Sequence, residues 1–143
     1  EYFRRQPPKS TGRELFGKKF LELLLEIAKD FDIINPEDII ATASQMTVTA
    51  LSAEIRRITE GYGPYTVYPS GGGAKNRYFT DGLLHALGPG VLRNAETIGI
   101  QPDAKEAFCF AILANEWIYG NRANIPNVTG AKNKALLGSL SVP

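Results

Sequence analysis

Hydrophobic residues recur every three or four positions in the first third of this sequence. The pattern predicts an amphipathic helix that ends near Lys29 and presents one apolar face, made of Phe16, Phe20, Leu23, Leu24, Ile27 and Phe31. Thr11 and Glu14 stand three residues apart just ahead of this stretch, which is the spacing of a capping box. We therefore expect the first helix to start near Thr11.

A second helical pattern begins after "NPED". Asn35 is a favourable N-cap residue, and Pro36 suits the first turn, where no backbone donor is needed. The pattern predicts a helix that runs to about Thr59, with an apolar face made of Ile39, Ala43, Met46, Ala50, Leu51, Ile55 and Ile58.

Two shorter helical patterns follow in the second half of the chain. The first predicts a helix from about Asn76 to Leu87, which "GPG" ends. The second lies in "QPDAKEAFCFAILANEWIYG" and predicts a helix opened at or near Asp103 and closed by Gly120. The remaining sequence is irregular, with room for one short helix.

The segments "YTVYP" and "VLRNA" are rich in β-branched, aromatic and aliphatic residues and predict two short strands. Strands joined through a helix pair in parallel with a right-handed crossover. The predicted fold class is therefore a helix-rich α/β domain with a few short parallel strands. Two strands make a poor sheet alone, so we interpret residues 1–143 as one domain that is part of a larger lobe.

Composition and charge exclude several classes of function. The chain has 143 residues, 43% of them hydrophobic, which is typical of one globular domain. A net charge of +1 gives no basic patch, so we expect neither a nucleic-acid partner nor a membrane partner. With one cysteine, Cys109, and one histidine, His85, we expect no internal disulfide and no zinc cluster. No signal peptide is evident, and a cytoplasmic location is the expectation.

The run "SGGGAKN" stands between the first predicted strand and the third predicted helix. Three consecutive glycines allow unusual backbone angles, or let a ligand lie against the backbone itself. Amides at a helix start suit an anionic ligand such as phosphate. The spacing fits neither a dinucleotide fingerprint nor a P-loop. From the residues alone, a ligand site and a tight structural turn remain equally open.

Four stretches together resemble the anhydro-N-acetylmuramic acid kinase family. They are "PPKSTGRE" (7–14), "SGGGAKN" (70–76), "KEAFCFAILA" (105–114) and "NIPNVTGA" (124–131), the last followed by "LLGSLSVP". The likeness covers nearly the whole chain, but only the C-terminal part of the family's length. The sequence opens on "EYFRRQPPKSTGRE" without an initiator methionine, which we interpret as a fragment of a longer chain.

The resemblance implies a two-lobed ATPase of the actin-like, sugar-kinase type, with a ribonuclease H-like core in each lobe. It implies ATP and Mg²⁺ as cofactors, an anhydro-amino sugar as substrate and a homodimer for the full-length enzyme. Such a kinase opens the 1,6-anhydro bond with water and phosphorylates O6, which serves peptidoglycan recycling.

Carried over residue by residue, the likeness makes Gly71, Gly72, Gly73, Lys75 and Asn76 nucleotide-binding residues. The family usually has histidine where this chain has Lys75, and a lysine would reach a phosphate only as a point charge.

Glu106 would contact the sugar, because a carboxylate can accept hydrogen bonds from two hydroxyls. Its alternative role is structural, since Asp103 and Glu106 also have the spacing of a capping box.

No catalytic or metal-binding residue is assigned to this chain. The resemblance places the phosphate-binding motif and the general base upstream of Glu1, so we expect the isolated chain to be inactive. Asp81 is expected inside a helix and Asp103 at a helix start, so neither is proposed as the base. Two alternatives remain open: a free-standing nucleotide-binding or interaction module that has lost catalysis, and a nuclease. A nuclease is disfavoured because the predicted strands carry no acidic residues to hold metals.

Overall fold

The computed structural model describes residues 1–141, apart from the side chain of Pro102. This part of the chain contains five α-helices: α1 (Lys18–Asp30), α2 (Pro36–Thr59), α3 (Arg77–Leu87), α4 (Lys105–Ile118) and α5 (Pro126–Thr129). Short 3₁₀ segments lie at Tyr2–Arg4, Gly72–Lys75, Ala95–Ile98 and Pro102–Ala104. The motif residues Val142 and Pro143 lie outside the described residues.

The predicted helix-rich α/β fold, with parallel strands of a ribonuclease H-like lobe, is wrong for residues 1–141. These residues are helical and form no sheet. The two predicted strands meet only in one parallel bridge, in which Val67 N donates to Val91 O at 2.7 Å and Arg93 N donates to Val67 O at 3.0 Å. Prolines at 64 and 69 supply no amide donors on either side of Val67, and a two-stranded ladder is marginal by itself.

The chain divides into two compact units. Unit 1 comprises residues 1–16 and 104–143, and unit 2 comprises residues 17–103. Every buried residue among those described belongs to unit 2: Ala28, Val48, Ser52, Leu83 and Ala95. Unit 2 therefore holds the core of this chain. The single domain predicted over residues 1–143 stays a prediction.

The packing of α2 on α3 forms the centre of unit 2. Val48 of α2 is only 2% exposed and faces Gly82 of α3, where a Cβ atom would lie 3.0 Å and 3.1 Å from the two Val48 methyl carbons. Glycine inside a helix costs about 1 kcal/mol relative to alanine. At Gly82 the missing side chain lets the two helices approach closely.

The predicted starts of α2 and α3 are confirmed by their caps. The Asn35 side-chain oxygen accepts a hydrogen bond from the Glu37 amide at 3.0 Å, and Asn76 does the same for the Tyr78 amide at 3.0 Å. Each bond satisfies one of the donors that a helix start leaves unpaired. The predicted ends at Thr59 and Leu87 are confirmed as well.

The predicted start of the first helix near Thr11 is wrong. α1 begins at Lys18 after Gly17, and no side chain caps it. The amides of Leu15 and Phe16 instead donate to the Gly12 carbonyl in a turn. Glycine in two places of this stretch, at 12 and 17, disfavours a continuous helix. The capping-box spacing alone did not overcome that cost.

Unit 1 contains α4, α5, the N-terminal segment and the tail. Tyr2, Phe3 and Phe16 form an aromatic cluster with ring centroids 5.5–5.7 Å apart, and Lys9 Nζ lies 5.4 Å from the Tyr2 ring centroid. None of the described residues of unit 1 is buried. No helix within residues 1–141 is both long enough and apolar enough to cross a membrane.

Candidate functional site

The glycine run forms a tight turn that leads directly into α3. Gly71 has a φ of +77°, a conformation that L-residues with side chains rarely adopt. Gly72–Lys75 then make one 3₁₀ turn, and Asn76 caps α3. The five predicted nucleotide-side residues thus lie together at the start of a helix of 11 residues.

The backbone of this turn is open to a ligand. A Cβ atom built at Gly71 or Gly72 would have no atom within 4 Å, and at Gly73 it would only touch the edge of the Phe79 ring at 3.8 Å. Ala74 N donates to Gly71 O and Asn76 N to Gly73 O, whereas the amides of Gly72 and Gly73 come first in the 3₁₀ turn and have no partner within it. Amides at the start of a helical turn are the donors that an anionic ligand can use.

A groove of about 390 Å³ lies beside the turn. It is lined by Pro69, Ala74, Lys75, Thr80, Leu92, Arg93 and Asn94. Lys75 and Arg93 bring two positive charges to it, and none of the lining residues is acidic. The groove therefore favours an anionic ligand, since nearby unlike charges attract and the helix start adds a partial positive charge.

Lys75 forms an ion pair with Asp103, a residue outside the groove lining. Its Nζ lies 2.8 Å from Asp103 Oδ1 and 3.0 Å from Asp103 Oδ2, although both side chains are exposed. Asp103 does not line the groove. This ion pair connects the end of the glycine turn to the last residue of unit 2.

The prediction that Asp103 caps the last helix is wrong. α4 begins at Lys105 with Ala104 as its N-cap residue, and no side chain caps it. The capping box of Asp103 and Glu106 does not form, because the Asp103 carboxylate is bound to Lys75 instead. Glu106 lies exposed in the first turn of α4, in unit 1. Its contact with a sugar stays a prediction.

Asp81, which was excluded as a general base from the sequence, lies near a basic residue of its own helix. Asp81 lies within α3, and its Oδ2 is 3.9 Å from Arg77 Nε one helical turn away. In the described part of the chain there is no group of three or more histidine, cysteine or acidic side chains that could hold a metal ion.

The motifs at the two ends of the chain meet in unit 1. A Cβ atom at Gly130 of "NIPNVTGA" would lie 3.7 Å from Pro8 Cγ of "PPKSTGRE". Asn124 Nδ2 donates to the Asn133 carbonyl at 2.9 Å, and its Oδ1 accepts from the Ala135 amide at 2.5 Å. Asn124 therefore holds residues 133–135 beside its own motif, and Gly130 lies next to Pro8.

We did not predict from the sequence that Arg93 would lie at the candidate site, although its position in the chain indicated it. Arg93 lies within the second predicted strand, "VLRNA", and the carboxyl ends of parallel segments meet at one edge. The single bridge between Val67 and Leu92 is enough to bring Arg93 to the glycine turn. No pattern in the sequence indicated that Asp103 would pair with Lys75, because 28 residues separate the two.

The open glycine turn, the helix start and the two cations together define a protein segment that can bind an anionic, phosphate-bearing ligand. Comparison with known proteins specifies the family. Residues 1–143 match the family described as anhydro-N-acetylmuramic acid kinase, and the chain belongs to this family.

Relatives agree with that assignment. A protein from Salinibacter ruber named anhydro-N-acetylmuramic acid kinase is 42% identical, covering 100% of this chain and 36% of its own length. Proteins of the same name from a Cyanothece species and from Coxiella burnetii are 37% and 39% identical over 97% of this chain, which is again 36% of their length. The chain thus spans about a third of the length of the curated relatives it matches.

Proposed function

We propose that this chain is the C-terminal nucleotide- and sugar-binding part of an ATP-dependent kinase. The enzyme would open the 1,6-anhydro bond of anhydro-N-acetylmuramic acid with water and transfer the γ-phosphoryl group of ATP to O6. The products would be ADP and N-acetylmuramic acid 6-phosphate, in the recycling of peptidoglycan fragments. Family membership supports the reaction class, and the open glycine turn beside a cationic groove is the observation that carries the nucleotide role.

The residues of the turn fit a nucleotide in distinct ways. The amides of Gly72 and Gly73 would donate to phosphate oxygens, and the bare backbone at Gly71 and Gly72 would let the ligand approach closely. Lys75 would add a point charge. The side-chain oxygen of Asn76 accepts the hydrogen bond that caps α3. Its side-chain nitrogen, Nδ2, is therefore the atom that would donate to a ligand.

Mg²⁺ would accompany the nucleotide rather than occupy a protein cage. This ion commonly retains water and is held by substrate phosphates with one or two carboxylates. It would neutralise charge on the phosphates during phosphoryl transfer. We assign no Mg²⁺ ligand and no general base to this chain.

Glu106 is proposed to bind the sugar. It is an exposed carboxylate in the first turn of α4, and the structural alternative for it, a capping box with Asp103, does not form. An ionised carboxylate accepts hydrogen bonds through both oxygens, which suits a ligand dense in hydroxyls.

The nucleotide role can be tested by adding one methyl group. Gly72→Ala should leave the fold intact, because its Cβ would enter open space and its φ is not in the left-handed region. The methyl group would occupy the place of a ligand that lies on the backbone, so ATP affinity measured by calorimetry should fall at least about tenfold.

Gly63→Ala is the matched control, because Gly63 also has open space at its Cβ and no left-handed φ. It should bind ATP as the unchanged chain does, and both variants should melt normally. Equal ATP affinity of the Gly72→Ala and Gly63→Ala variants would refute a nucleotide lying against this turn.

The sugar role requires a full-length kinase that contains this segment. Glu106→Gln replaces one acceptor oxygen by a donor group. A hydrogen bond to a charged group contributes roughly 1.5–3 kcal/mol, so kcat/KM for the anhydro-sugar should fall about tenfold to over a hundredfold. KM for ATP should hardly change.

Glu116→Gln, the same chemical change on the same helix, should leave sugar kinetics unchanged and serves as the control. If the folded Glu106→Gln enzyme kept normal sugar kinetics, the assignment of Glu106 would be wrong.

A further inference from the structure

The Lys75–Asp103 ion pair lies beside the cationic groove, and the function proposed above gives a role to Lys75 but none to Asp103. Lys75 lines the groove, and Asp103 does not. The two Asp103 carboxylate oxygens lie 2.8 Å and 3.0 Å from Lys75 Nζ. The carboxylate thus occupies part of the hydrogen-bonding capacity of Lys75 and offsets its charge. Arg93 brings the second positive charge to the groove lining.

We propose that Asp103 sets the affinity of this groove for anions by partly neutralising Lys75. This inference rests on the proposed nucleotide role of the glycine turn. It makes Asp103 a residue that tunes the binding of phosphate-bearing ligands without touching them. Its effect is repulsive, so the chain binds polyphosphates less tightly than its cations alone would allow.

Two opposing effects of Asp103 must be compared. Holding Lys75 in place should assist binding, but an exposed ion pair contributes little because water and salt screen it. Both partners here are largely exposed, with side chains 66% and 78% accessible. The restraint on Lys75 is therefore the smaller effect.

Repulsion between the Asp103 carboxylate and the ligand acts on every charge of that ligand. An ammonium that contacts both groups places a phosphate roughly 6 Å from the carboxylate. At that distance in salty water, each ligand charge should weaken binding about 1.5-fold. The summed effect is about fivefold for ATP and about twofold for AMP. Repulsion therefore outweighs the restraint.

The test uses four forms of the chain: unchanged, Asp103→Asn, Lys75→Met and the double variant. Binding of ATP, ADP and AMP is measured by calorimetry without Mg²⁺, so that ligand charge is not masked. Asp103→Asn should bind ATP about fivefold more tightly than the unchanged chain, and the gain should shrink from ATP to AMP. Lys75→Met should bind more weakly, and the double variant should return close to the unchanged chain.

A purely positional role predicts a different order. Asp103→Asn would then bind ATP as weakly as Lys75→Met, and the double variant would be no better. That order, or an affinity gain that does not depend on ligand charge, overturns the inference. Asp30→Asn makes the same chemical change at the end of α1, away from the groove lining and from Lys75, and should alter binding little.

The outcomes separate this inference from the proposed function. If the unchanged chain binds ATP but Asp103→Asn does not strengthen binding, only the inference fails. If no form binds ATP, the nucleotide role fails, and inorganic tripolyphosphate becomes the probe of groove charge. Asp103→Asn must then bind tripolyphosphate more tightly than the unchanged chain, and equal, weaker or undetectable binding overturns the inference.

Discussion

Gly82→Ala tests how closely α2 and α3 are packed in unit 2. The substitution adds one methyl group in the interior of α3 and should favour the helix by about 1 kcal/mol, since alanine is the better helix former. The added Cβ, however, would lie 3.0 Å and 3.1 Å from the two methyl carbons of Val48. Favourable carbon contacts lie near 3.5–4.0 Å, so either the side chain of Val48 or the helix must move.

Movement of Val48 is restricted, because the residue is 2% exposed and its β-branched side chain has one strongly preferred rotamer in a helix. Overpacking of this kind costs about 1–3 kcal/mol. Subtracting the helix gain, we expect Gly82→Ala to lower the free energy of unfolding by about 1 kcal/mol.

A double variant shows whether the methyl groups of Val48 are the cause. Val48→Ala alone should cost about 2 kcal/mol through lost burial and a small cavity. In that background Gly82→Ala no longer meets the methyl groups and should become stabilising by about 1 kcal/mol. The effect of one substitution thus changes sign with the other, which is a strong coupling between contacting residues.

Urea unfolding followed by circular dichroism measures all four forms, with equal slopes required for comparison. His85→Ala, at an exposed position of the same helix, is the control and should show only the propensity gain of about half a kcal/mol. A Gly82→Ala variant that is more stable than the unchanged chain would show that α2 and α3 pack less closely than described.

Three further predictions concern caps, association and turnover. Asn35→Ala should destabilise the chain by about 1 kcal/mol in urea unfolding through loss of its bond to the Glu37 amide, whereas Asn35→Asp should keep most of the stability; equal loss in both would refute the cap. The isolated chain should self-associate, because Phe110 and Ile118 of α4 are 70% and 72% exposed, and sedimentation showing only monomer at high concentration would contradict this. The purified chain should not phosphorylate anhydro-N-acetylmuramic acid, since general-base catalysis alone contributes about 10²–10⁴-fold and no base is assigned here; turnover free of contaminating kinase would show that the base was misplaced.

The sequence by itself determined the features that depend on neighbours along the chain. α2 and α3 begin after Asn35 and Asn76 because each side chain caps amides only two residues away. The predicted ends of both helices, at Thr59 and Leu87, were also confirmed. The glycine turn was predicted at the start of α3, since a run of three glycines disfavours both a strand and a helix. Family membership, too, was evident from four short motifs.

Tertiary structure decided the features that depend on distant partners. The two segments predicted as strands had suitable residues, but a sheet needs further strands beside them, and within residues 1–141 they form one bridge. Asp103 had the spacing of a helix cap, yet its carboxylate binds Lys75, because an ammonium 28 residues away offers a charged partner. Local spacing predicts local hydrogen bonds, whereas only the fold shows which distant charges compete for the same side chain.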